Sequence, residues 1–132
     1  YFWGVCGATM ALATPDLDYG FPHGEYSPFF WGHSLILMAV AYVIMVKRER
    51  PYLSDIPKVI GVTLGLLVIV YFINLIIGPP ANYWYLLERP VDGTLLDYFP
   101  DPPLHLIGTI PLAAFLFYVA YLPFFVRDKL SK

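Results

Sequence analysis

Charge is what this chain has least of. Only 14% of its 132 residues are Asp, Glu, Lys or Arg, against roughly a quarter in a soluble domain. A water-facing surface would need about twice that charge, so the excess apolar side chains must face something other than water, most simply lipid. Disorder is excluded by the same scarcity, because a disordered chain is highly charged and this one is 58% hydrophobic and 18% aromatic. A coiled coil would need heptads rich in Glu and Lys. Cysteine is nearly absent: Cys6 stands alone, which excludes an internal disulfide and leaves the redox compartment unread. Basic residues are few as well. The eight Lys and Arg, at a net charge of −2, form no stripe that could neutralise phosphates, so no nucleic acid is expected as a partner. GxSxG, Walker A, GxGxxG and CxxC patterns are all missing, and with them any complete motif for hydrolysis, nucleotide binding or redox work. The chain opens at Tyr1 without a Met, a basic leader or a small-residue cleavage site, and is expected to be part of a longer protein.

What is present is apolar sequence in long runs. Tyr26 to Val46, Val59 to Leu87 and Pro102 to Val126 are each long enough to cross a bilayer core, which takes about 20 helical residues. Gly78, Pro79 and Pro80 stop the second run, since proline lacks the amide a helix interior needs. Pro111 lies inside the third, where a kink is expected rather than a break, because membrane helices tolerate proline. Tyr1 to Ala13 is apolar but too short to span, and reads as the end of a further helix. The expected fold is therefore all-α: a polytopic transmembrane helical bundle forming a single domain over 1–132. Its three full spans fall at about 28–46, 59–77 and 104–126, with a partial N-terminal span at 1–13.

The few charges sort by loop. Lys47, Arg48, Arg50, Lys58, Arg127, Lys129 and Lys132 fall on one side of this bundle, and Arg89 is the single exception. Asp16, Asp18, Glu25, Glu88, Asp92, Asp97 and Asp101 fall on the other. By the positive-inside rule the 47–58 loop and the C-terminus are expected to be cytoplasmic, in a multi-pass protein of the inner membrane. Aromatic residues crowd the outer ends of the spans: Tyr19, Phe21, Tyr26, Phe29, Phe30 and Trp31 at one, Tyr83, Trp84, Tyr85, Tyr98 and Phe99 at the other. They suit an interfacial belt or a binding box.

An ionisable group inside a span is costly and is a functional candidate by default. His33 is the clear case, about five residues inside the first span, beneath the interface but within reach of a lipid ester. An imidazole titrates near neutrality and can serve as general base, then as general acid. It could equally be a structural histidine bonded to a neighbouring carbonyl beside Gly32 and Ser34. Asn74, about one turn before Gly78, could orient His33 or tie two helices together. Asn82 and Tyr83, after the Gly-Pro-Pro break, could line a pocket or cap the loop. His23 and His105 share that side with several carboxylates, but no metal-ligand spacing such as HxxxH occurs, so neither a metal nor another cofactor is expected.

Taken together, TPDLDYGFPH (14–23), GHSLIL (32–37), PANYWYLLERP (80–90), LLDYFPDPP (95–103) and YLPF (121–124) resemble the C-terminal half of the bacterial YwaF-like integral membrane proteins. That group is similar to eukaryotic multi-pass enzymes handling lipid acyl groups, including an ether-phospholipid acyltransferase and androgen-induced hydrolases of fatty-acid esters. The resemblance implies an intramembrane Cys or Thr nucleophile on an early helix, working with a later histidine that corresponds to His33. It does not place Cys6 in the nucleophile's motif. The expected function is intramembrane lipid acyl transfer or ester hydrolysis, with His33 as acid/base, Asn74, Asn82 and Tyr83 orienting, and membrane lipids as partners. The competing expectation is a non-catalytic accessory subunit of a larger membrane assembly, for which Gly61, Gly65, Gly108, Ala113 and Ala114 offer close-packing surfaces.

Overall fold

The apolar runs all become helices. The structure, a computed structural model, describes residues 1–90 and 94–130. Asp92 and Lys132, two of the charges sorted above, lie outside the described residues. In chain order the helices are α1 (Phe2–Ala13), α2 (Tyr26–Met45), α3 (Asp55–Ile77) and α4 (Leu106–Leu130), with short 3-10 turns at Tyr83–Tyr85 and Leu95–Tyr98 between the last two. No strand occurs among the described residues. α2, α3 and α4 have 20, 23 and 25 residues and are long and apolar enough to cross a membrane, whereas α1 has 12.

Helix ends follow local chemistry. α3 terminates where Gly78 adopts φ +71, a conformation a side chain resists, and the two prolines after it cannot donate to the helix. α4 carries Pro111 and Pro123 in its interior without ending at either. α3 and α4 also extend past the expected spans, from Asp55 and to Leu130, so that charged residues form their outermost turns.

α1 packs against α2 and α4, and α3 meets α4. The approach of α1 to α2 depends on Gly4, where a Cβ would stand 2.8 Å from Val40 Cγ2. α1 is also pinned by hydrogen bonds from Tyr1 to the Ala120 carbonyl (2.6 Å) and from Trp3 Nε1 to Thr63 Oγ1 (2.8 Å). The buried core is small: Phe2, Ile56, Phe117, Tyr121 and Phe124. It gathers where α1 begins, α3 begins and α4 ends. Arg50 closes that end by donating to both carboxylate oxygens of Asp128 at 2.7 and 2.6 Å, its guanidinium lying over the rings of Tyr52 and Phe124. Outward, apolar side chains dominate: α2 has no buried residue, and Trp31, Met38 and Met45 stand more than 60% exposed. A water-soluble domain would not present that surface; a bilayer accepts it.

Candidate functional site

The opposite end of the bundle is hollow. Gly4, Gly7, Ala8 and Ala11 recur at helical spacing along one face of α1, and their small side chains leave a cavity of about 770 Å3 between α1, the first half of α2, the α3–α4 connection and α4. His33 lines it. The residue sits seven places into α2, about 10 Å from the helix start. Its Nδ1 is 2.8 Å from the Phe29 carbonyl oxygen one turn back, and its ring packs 4.4 Å from the Phe29 ring. A carbonyl only accepts, so Nδ1 carries the proton and the lone pair of the neutral imidazole falls on Nε2. The local backbone thus fixes the tautomer while leaving the second nitrogen for other work.

Asp16 and Tyr85 line the same cavity. They lie 69 positions apart in sequence, yet the Tyr85 hydroxyl donates to Asp16 Oδ2 at 2.5 Å, joining the end of α1 to the 3-10 turn after α3. Burial, reinforced by the Asp16 carboxylate, pushes the Tyr85 phenol up to about 12. Tyr85 therefore stays protonated and Asp16 keeps its hydrogen bond.

The remaining sequence candidates are placed elsewhere. Asn74 is fully buried and its amide reads the Tyr83 backbone in both directions, Nδ2 donating to Tyr83 O at 2.9 Å and Oδ1 accepting from Tyr83 N at 2.8 Å. Its partner is thus the connection just beyond its own helix. Asn82 caps that connection: Oδ1 accepts from the amides of Leu87 and Glu88, and Nδ2 donates to Glu88 O. The Tyr83 side chain is 56% exposed. Of the four candidates, His33 is the one on the cavity wall, and the two asparagines fold the loop that carries Trp84 and Tyr85 onto it.

Two features escape a reading of the sequence. One is the Asp16–Tyr85 bond. The other is a second cavity of about 220 Å3 on the α3 side of α4, walled by Leu64, Leu67, Ile110, Ala114 and Phe117 and bordered by His105. His105 is 3% exposed, and its Nδ1 has no partner among the described residues. Burial holds this imidazole below its ordinary pKa, and nearby Arg89 acts in the same direction. Neither signal could be taken from spacing, because both need the α3–α4 connection in place. Cys6 lies on α1 with its sulfur 3.6 Å from the Leu116 carbonyl. The three histidines are dispersed: His23 packs its ring at a tilt against Tyr19 in the first connection, and no group of three His, Cys, Asp or Glu gathers among the described residues.

A model of the TMEM164 family matches residues 1–121. No curated protein and no solved structure matches the chain.

Proposed function

The chain belongs to the TMEM164 family and is an integral membrane protein, and from that premise we propose that it takes part in acyl transfer or ester hydrolysis on a membrane lipid, with His33 as acid/base. The observation that carries the reading is the His33 ring: Nδ1–H is spent on the Phe29 carbonyl, and the ring stands on the wall of a largely apolar cavity of about 770 Å3. Nε2 then takes the proton of an attacking hydroxyl or thiol as that oxygen or sulfur bonds to the ester carbonyl carbon. When the tetrahedral adduct collapses and the carbon–oxygen bond to the leaving alcohol breaks, the imidazolium returns the proton to the departing oxygen. Asp16 lies on the same wall, where its carboxylate accepts from the Tyr85 hydroxyl. Asn74, Asn82 and the Tyr83 backbone serve by holding the loop that completes the wall. The resemblance of the 14–23, 32–37 and 80–90 segments to the YwaF-like proteins supports the same chemistry.

The test uses the full-length protein in liposomes of phospholipid carrying an isotope-labelled acyl chain. Mass spectrometry of released and transferred acyl groups is the measurement. His33→Ala lowers turnover by about 100-fold or more at unchanged thermal stability; wild-type rates in that variant overturn the assignment. On this reading, by the positive-inside rule, the 47–58 loop and the C-terminus face the cytoplasm. Ser54→Cys, in a Cys6→Ser background, is then protected from an impermeant thiol reagent added to intact cells, while Gly20→Cys is labelled.

A second reading, an accessory subunit of a larger membrane assembly, is favoured by one observation. Gly61 and Gly65 lie four apart on α3, and a Cβ at either would meet nothing within 4 Å, which leaves a small-residue face open to another helix. Stoichiometric co-purification of partners without lipid turnover decides for it.

A further inference from the structure

His105 holds a buried acceptor that the fold leaves unanswered. The residue stands just before α4 and is 3% exposed, and its Nδ1 has no hydrogen-bond partner among the described residues. The imidazole is hydrogen-bonded to the Tyr85 backbone as donor. That bond therefore belongs to Nε2, which carries the proton, and Nδ1 keeps a bare lone pair. A buried lone pair in an apolar surround is costly unless a donor meets it.

His105 stands in the wall of the cavity of about 220 Å3, which by liquid-water volume has room for about seven water-sized groups. Water is a poor occupant. Each buried water makes about three hydrogen bonds, and a wall built mainly of side chains such as Leu64, Leu67, Ile110 and Phe117 cannot supply them. Thr63 lines the cavity too, but its hydroxyl already donates to the Val59 carbonyl at 2.7 Å and accepts from Trp3 Nε1 at 2.8 Å. An ion fares no better, because the apolar wall would strip its hydration and the charge of Arg89, felt at His105, opposes a cation. The occupant that fits is neutral, carries one donor and is otherwise hydrocarbon.

We propose that this cavity is a binding site for a small alcohol or phenol of about seven non-hydrogen atoms, its O–H donating to His105 Nδ1 and its hydrocarbon body filling the space between α3 and α4. The site goes beyond the ester chemistry assigned to His33 and uses none of it. His105 is its binding residue. Ala114, which lines the smaller cavity and not the larger, sets the room available to the ligand.

Ligand-observed NMR on the full-length protein in nanodiscs tests it, with protein-free nanodiscs correcting for partition into lipid. The probes are phenol and toluene, in which a methyl group of similar size replaces the hydroxyl. Phenol is expected to saturate and to bind about three- to ten-fold tighter than toluene, the worth of one hydrogen bond. His105→Phe keeps a ring and deletes the acceptor, so the preference for phenol disappears. Ala114→Leu fills the cavity and weakens both probes by about ten-fold. In the wild type the nitrogen resonance of His105 Nδ1 moves on adding phenol and stays in place with toluene, a measurement that needs no variant should His105→Phe fail to fold. Binding without saturation, equal affinities in the wild type, a phenol preference that survives in His105→Phe, or an unmoved Nδ1 resonance overturns the hydrogen bond to His105. Affinities untouched by Ala114→Leu overturn the cavity as the site. His33→Ala is expected to bind both probes as wild type does, so a failed catalytic assignment and a failed binding site give different results.

Discussion

At the end of the bundle where α2 passes to α3, Ile56 is fully buried, Phe124 packs against Tyr1 and Tyr121, and Arg50 clamps Asp128 across the gap. At the end where α3 passes to α4, small side chains on α1 face a hollow, and buried or half-buried polar groups replace the apolar core: Asn74 on the Tyr83 backbone, Tyr85 on Asp16, His105 beside the smaller cavity. The difference lies in what closes each end. A short connection rich in charge is tied down by one bidentate pair over apolar packing, with a cavity of about 480 Å3 left beside Arg50 between α1, α2 and the start of α3. The long α3–α4 connection must satisfy many backbone groups of its own, and it does so with side-chain amides and hydroxyls that also shape a cavity. The buried apolar cluster and the candidate site thereby lie toward opposite ends of the bundle.

The sharpest way to break that contrast is at the packed end. Ile56→Ala removes a fully buried side chain from the cluster with Phe117 and Phe124, and is expected to cost about 2–5 kcal/mol. Unfolding in bicelles measures it. Lipid binding per folded molecule stays at the wild-type level. A cost under about 1 kcal/mol, or a matching loss of binding, means the two ends are not separate.

Next in size is Asn74→Leu, which keeps the volume and deletes both hydrogen bonds to Tyr83. Because the Tyr83 side chain is exposed, water reaches part of this backbone, and about 1–3 kcal/mol is expected in place of the full penalty for two stranded groups. Hydrogen exchange at the Tyr83 amide rises while exchange in the α3 interior stays slow. Lipid turnover falls with it, because the loop that carries Tyr85 loosens. Unchanged exchange at Tyr83 removes Asn74 from the account of the hollow end.

The helices were legible in the sequence, whereas the contacts that close either end were not. Runs of apolar residues between charges, and the Gly-Pro-Pro stop at 78–80, mark the helices because each signal is local. His33 stood out for the same reason: an ionisable side chain inside an apolar run is visible without knowing its neighbours. Asn74 stood out too, but its partner did not, since which way an amide turns depends on how the chain returns after Pro80. The Asp16–Tyr85 bond was hidden by its 69-residue separation, and both residues read as ordinary interface groups until the loop is folded over α1. His105 was weighed in the sequence only as a metal ligand on the acidic side, and its burial beside the smaller cavity needs α3, α4 and their connection in place. Local chemistry was readable; the pairing of distant polar groups, which makes the cavity, was not.

The smallest effect sharpens the comparison through pH. Burial and Asp16 raise the Tyr85 pKa from 10.0 in the unfolded chain to about 12. Between those values the unfolded chain has released a proton that the folded one retains, so the bond's contribution is complete below about pH 10 and is lost as pH rises through about 12. His105 acts at the other limit. Its folded pKa lies below the ordinary 6.5, so the unfolded chain binds the extra proton and stability falls as pH drops from 6.5 through the folded value. Both groups belong to the hollow end, and local hydrogen exchange there should show a plateau between about pH 6.5 and 10 with a decline on either side. Tyr85→Phe removes the alkaline decline and costs about 1 kcal/mol on the plateau, the worth of one hydrogen bond. The acid arm stays in place, because His105 is untouched. An alkaline decline that survives in Tyr85→Phe assigns the titration to another group and removes the Asp16–Tyr85 bond from the account of the hollow end.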